Sequence, residues 1–169
     1  MEQQAQGGQK MKRILIFVAV AVLAVVASST LRAQDNPLVG TWKLNTAKSK
    51  FDPGPAPKSL TRTVVAEGDG VKYTFVGEAA DGKPLAYGFT VHFDGKDNPI
   101  TGSMPTGADT ISGTRTDSHH YVATLKKAGK EIGVSKVSVS KDGKVTTVDA
   151  SGTNPAGVKT HDVQVFEKQ

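Results

Sequence analysis

Residues 34–169 contain fifteen lysines but only two arginines, and both arginines fall on the apolar phase of an alternating stretch. Arg62 shares its phase with Leu60 and Val64, and Arg115 shares its phase with Ile111 and Gly113. Successive side chains of a strand point to opposite faces, so each guanidinium is directed inward with its apolar neighbours. An isolated buried charge is very costly and has to be paired or hydrogen-bonded. An anionic ligand head group is one partner that satisfies it. The alternative is an arginine at a strand end, reaching water or a turn carboxylate such as Asp117. Gly113 leaves room beside Arg115, which makes Arg115 the first candidate to meet an acidic ligand.

Other chemistries find little support. His119 and His120 are adjacent, so on a regular strand they face opposite ways and cannot chelate one metal together. His92 and His161 are isolated, and no spacing of His and carboxylates suggests a metal site. There is no Gly-x-Ser-x-Gly elbow and no phosphate loop, and the Asp residues fall mostly in turns, where Asp is expected anyway. The chain lacks cysteine, which removes thiol nucleophiles, disulfides and Cys-based zinc sites. We therefore expect no catalysis, no cofactor and no metal.

The elements that position the arginines follow from punctuation and alternation. Eighteen glycines, eight prolines and 6% aromatics in 169 residues favour short strands joined by tight turns. Turn clusters recur at Glu67–Gly70, Asp81–Lys83, Asp94–Asn98, Ala128–Lys130, Lys141–Lys144 and Asn154–Gly157, and Asp-Gly pairs suit two-residue hairpins. The runs between them read as ten strands, at about 38–45, 59–67, 70–78, 84–93, 98–104, 109–117, 119–127, 131–140, 144–152 and 160–168. The fourth is the clearest, with Leu85, Tyr87, Phe89, Val91 and Phe93 on one face. In the eighth, Ile132 and Val134 fall out of phase with Val137 and Val139, which predicts a bulge near Ser135 or Lys136. Ten meandering antiparallel strands with one apolar face most simply close into an all-β, up-and-down barrel. The Pro-rich stretch 45–59 reads as an extended connection. Trp42, Tyr73, Phe75, Tyr87, Phe89, Phe93, Tyr121 and Phe166 are inward candidates that either line a cavity or fill it.

Charge divides unevenly along the chain. Of the net +5, residues 1–33 carry +3 and the remainder only +2, with no basic cluster interleaved with aromatics, so no nucleic-acid partner is expected. Lys12 and Arg13 precede an apolar run from Ile14 to Ala27, followed by small residues up to Ala33. This is the layout of a secretory signal peptide over 1–33, cleaved after Ala33 or after Ala27, with Met1 or Met11 as the start. An uncleaved anchor is the competing reading. The run would span only about 21 Å as a helix against roughly 30 Å of hydrocarbon, so no stable membrane anchor is expected after processing. The expectation is an exported, periplasmic or secreted domain over 34–169.

The opening Leu38-Val39-Gly40-Thr41-Trp42-Lys43-Leu44 resembles the Gly-x-Trp first strand of the lipocalin and fatty-acid-binding-protein (calycin) superfamily, and Val163–Lys168 resembles the closing strand of the fatty-acid-binding branch. The Gly-Thr-Trp-Lys-Leu-Asn start is also similar to that of exported bacterial lipocalin-like proteins. The resemblance implies a small β-barrel around an apolar ligand, with Gly40 and Trp42 structural at one barrel end. Two departures stand out. The stretch 45–59 is too short for the helical lid of the intracellular fatty-acid binders. Gln164 and Phe166 stand where those proteins carry an Arg and a Tyr for the ligand carboxylate. The reading is a carrier of a small hydrophobic, lipid-like ligand, neutral or anionic, in a cavity lined by Arg115, Arg62, Tyr73, Phe75, Tyr87, Phe89, Tyr121, Gln164 and Phe166. The alternative is a filled barrel serving as a structural or protein-interaction module of the envelope, with a partner the sequence does not name.

Overall fold

The computed structural model describes residues 36–169, so the expected signal segment 1–33 and both expected cleavage positions lie outside the described residues. Ten strands follow in chain order: β1 (Gly40–Leu44), β2 (Ser59–Glu67), β3 (Gly70–Glu78), β4 (Pro84–Val91), β5 (Asn98–Gly102), β6 (Thr110–Arg115), β7 (His120–Lys127), β8 (Lys130–Val139), β9 (Val145–Thr153) and β10 (Lys159–Lys168). Each pairs antiparallel with its neighbours in sequence, and β1 pairs with β10 through Trp42↔Lys168, Lys43↔Glu167 and Leu44↔Phe166. The result is the closed up-and-down barrel that the turn spacing predicts. No helix occurs among the described residues. A closed ring leaves no unpaired edge, which a ten-stranded open sheet would expose at both sides.

The expected bulge exists but lies elsewhere. Leu125 pairs with Gly133 while Lys126 pairs with Glu131, so Ile132 is the extra residue and the ladder runs regularly from Gly133 to Val139. Val134 therefore points outward, and Ser135 takes the inward position with Val137 and Val139, all three buried. The β-branched residue at 134 masked this phase, because outward faces of barrels also accept valine.

Hairpin direction sorts the connections between two ends. The N-terminal segment 36–39 and the turns β2–β3, β4–β5, β6–β7 and β8–β9 gather at one end. The connections β1–β2, β3–β4, β5–β6, β7–β8 and β9–β10 gather at the other. The first end is packed shut around Leu38, Trp42, Val64, Val71 and Phe166, each at most 2% exposed. Trp42 is fully buried and its Nε1 donates to the Leu38 carbonyl at 2.9 Å. Gly40 holds φ at +141°, a backbone conformation that residues with a side chain rarely adopt, which is why β1 opens on a glycine. At the second end the connection after β1, expected to be extended over 45–59, instead turns at 46–48 and again at 52–53. Its residues Lys50 and Val163 exchange backbone hydrogen bonds at 2.8 Å, and His161 N donates to the Asp52 carbonyl at 2.7 Å, so the segment continues the pairing with β10 beyond β1.

Candidate functional site

The barrel is hollow above its packed floor. A cavity of about 360 Å³ lies between the strands, bounded at the far end by Phe51, Pro55 and Pro57 of the β1–β2 connection and by Met104 and Pro105 before β6. Ligand sites usually measure about 300–1,000 Å³, so this interior is large enough for a small molecule.

Arg62 sits at the boundary between floor and cavity. Its strand neighbours are Trp42 on β1 and Phe75 on β3. The side chain is 2% exposed, and its Nε and Nη2 have no hydrogen-bond partner. Three rings surround the guanidinium instead, with Phe166 at 4.4 Å, Trp42 at 5.3 Å and Tyr73 at 6.0 Å from Cζ to ring centroid. Cation–π contacts contribute about 0.5–2 kcal/mol each. Burying an ion costs several kcal/mol even after relaxation, so the rings offset only part of that penalty. Burial accordingly pushes the Arg62 guanidinium below its ordinary value, against the opposing influence of the Tyr121, Tyr73 and Tyr87 phenols.

Beside it, the Tyr73 and Tyr121 hydroxyls lie 3.0 Å apart. Burial raises both phenols above their ordinary value, so both stay protonated at neutral pH. One O–H donates to the other oxygen, which leaves the second O–H free to donate toward the cavity. Burial raises the nearby Tyr87 phenol as well. The Thr146 hydroxyl is a further buried group without a partner at this end.

Arg62, Tyr73, Phe75 and Tyr87 all line the cavity, as do Phe89, Tyr121, Gln164 and Phe166. Arg115 does not. It ends β6 at the packed end, exposed, with its guanidinium 4.3 Å above the Phe93 ring. Gly113 makes room for something other than an arginine: a Cβ there would collide with Val91 and approach Phe93 at 3.4 Å. Phe93 adopts φ +58°, uncommon for a bulky residue, and packs edge-on to Tyr121 with centroids 5.3 Å apart. The phase of Arg115 was inward, but its position at the last residue of a strand carries it past the floor.

Several lining residues escape the sequence reading. Asp162 shares the inward phase of Gln164 and stands near the mouth, where its Oδ1 accepts from Asp52 N at 3.2 Å. Burial raises its carboxyl above the ordinary value, with nearby Asp52 adding to the rise. The Trp42–Arg62 and Trp42–Lys168 pairs set one row, and Asp162 lies six residues along β10 from it, about 20 Å at the usual strand rise. Gly133, Ser135, Ala150 and Gly152 also line the cavity, and only the smallness of their side chains marks them.

No protein-family model matches the chain, and no curated protein matches it. Among solved structures, the redesigned β-barrel mFAP1 bound to DFHBI is similar at TM-score 0.47 and 11% identity over 80% of this chain and 99% of that one. Zebrafish ileal bile acid-binding protein complexed with cholic acid is similar at TM-score 0.47 and 12% identity over 79% and 99%. Apocrustacyanin C2 is similar at TM-score 0.42 and 13% identity over 82% of this chain and 64% of that one. The fold rests on the strand order itself: ten antiparallel strands, each beside its neighbour in sequence, closed by the first and last.

Proposed function

We propose that this chain binds and carries one small, largely apolar molecule with an acidic group inside its barrel, that it does so outside the cytoplasm, and that it is not an enzyme. The observation that carries the reading is a cavity of about 360 Å³ with a fully buried, unpaired Arg62 at its floor. An acid group there would accept hydrogen bonds from Arg62 and from the free O–H of the Tyr73–Tyr121 pair, while the rest of the ligand contacts Phe75, Tyr87, Phe89 and Leu125. The ionisable groups of the cavity support a binding role over a catalytic one, since Arg62 with its phenols and Asp162 stand far apart along the barrel. Export is supported by the basic, apolar and small-residue succession from Lys12 to Ala33. The volume favours this reading over the filled barrel.

Native mass spectrometry of the full chain purified from its own host is expected to show a co-purifying small molecule that Arg62→Met fails to retain. A chain that carries no added mass and takes up no apolar dye would return the interaction-module alternative. N-terminal sequencing after envelope fractionation is expected to find Gln34 or Ser28 first. Intact chain recovered from membranes would replace cleavage with anchoring.

A further inference from the structure

The two sides of the cavity are built from opposite kinds of residue. On β3 and β4, Phe75 pairs with Tyr87 and Tyr73 pairs with Phe89, giving a two-by-two patch of rings that all line the cavity. Phe75 and Tyr87 stack with centroids 4.5 Å apart at 10°, and Tyr73 and Phe89 lie 5.0 Å apart at 34°. On β8 and β9, Gly133 pairs with Gly152 and Ser135 pairs with Ala150, giving a two-by-two patch with almost no side chain, which also lines the cavity. In the closed strand order β3 stands five places from β8, and β4 five places from β9. In a ring of ten these are facing positions, so the aromatic patch looks across the barrel at the bare one.

This is the shape of a slot, one wall made of rings and the other of little more than backbone. Strand spacing and rise make each patch about 5 Å by 7 Å, close to the face of two fused six-membered rings. A flexible chain gains nothing from such flatness and loses rotamer freedom on entering it, whereas a rigid planar ring system has none to lose and adds ring–ring contacts. Arg62 is the strand neighbour of Phe75, so an acid group on the rim of that ring system reaches the guanidinium at one edge of the slot.

Resting on the carrier reading above, we infer that the occupant is a flat, fused-ring aromatic monocarboxylate, held between these two patches with its acid group at Arg62. Calorimetric titration of the full chain with four probes tests this: 2-naphthoate, its saturated decahydro analogue, undecanoate with the same carbon count, and the neutral alcohol 2-naphthalenemethanol. Naphthoate is expected to bind about tenfold tighter than either saturated acid, and also tighter than the alcohol. Ala150→Leu already has a Cβ to build from and projects into the slot, so it should weaken naphthoate by about tenfold or more with less effect on undecanoate. Phe75→Leu should bring the naphthoate and decahydronaphthoate affinities together, which gives a second readout where the first variant fails to fold.

If a saturated acid binds as tightly as naphthoate, the flat-ring inference is overturned and the carrier reading stands. Naphthoate binding untouched by Ala150→Leu overturns the placement in the slot. Failure of all four probes, the alcohol included, overturns the carrier reading together with this one.

Discussion

The two ends of the barrel differ in what they spend their residues on. At the floor, Leu38, Trp42, Val64, Val71 and Phe166 are each at most 2% exposed, and the one charged group among them is ringed by aromatic faces. At the mouth, Phe51, Met104 and Asp162 are only partly buried, and they border the cavity without filling it. Stability is therefore concentrated at the end that admits nothing, and access is left to the end that contributes least to packing. The division lets the interior stay hollow, because Trp42 at the closed end pairs with both Arg62 and Lys168 and so ties β2 and β10 to β1.

Trp42→Ala should break this contrast most severely. Removing a fully buried indole costs about 3–5 kcal/mol, and chemical denaturation should show the loss even where the mouth is intact. A loss below about 1 kcal/mol would show that the floor does not carry the fold. Arg62→Met should act in the opposite direction on the free protein. Replacing buried charge by an apolar side chain of similar length is expected to stabilise by about 1–4 kcal/mol. The same variant should forfeit about 1.5–3 kcal/mol of preference for an acid over its alcohol. Unchanged preference would remove Arg62 from the site. Arg115→Ala sharpens the comparison from outside the cavity: it should cost only about 0.5–1 kcal/mol of stability, from its contact with Phe93, and leave acid affinity as it was.

The smallest effect concerns pH at the mouth. The Asp162 carboxyl is raised in the folded barrel relative to its ordinary value. Its contribution to stability is therefore greatest below the ordinary carboxylate value and is lost as pH rises through the raised folded value, remaining flat above it. Protonation also removes a negative charge from the path of an acidic ligand, so association should quicken on acidification across that window. Asp162→Asn should flatten both slopes; stopped-flow rates that keep their pH dependence in this variant would assign it to another group.

Most strand boundaries were legible because glycine-bearing turns and alternating side chains specify the same hairpins independently. Depth along the barrel was not legible. Phase puts Arg62 and Arg115 in the same class, yet one is the fourth residue of a nine-residue strand and the other is the last of six. The bulge was misplaced because Val134 has the character of an inward residue while Ser135 does not, and one inserted residue at Ile132 reverses both. Whether the barrel was hollow was hidden in residues that carry no signal: Gly133, Ala150 and Gly152 are as common on any strand as they are beside a cavity. Asp162 was within reach, two residues before Gln164 on the same phase.

The single tryptophan of the chain gives the floor an optical voice of its own. Its ring has the Arg62 guanidinium at 5.3 Å and the Lys168 ammonium at 5.1 Å, and its N–H is held by Leu38. Light absorbed by indole moves electron density across the ring, so the emission colour depends on the local field of those two cations. An anion arriving at Arg62 changes that field without touching the indole. Emission excited in Trp42 thus reads the charge state of the cavity floor directly, and an uncharged ligand resting higher in the barrel would leave its colour nearly as it was.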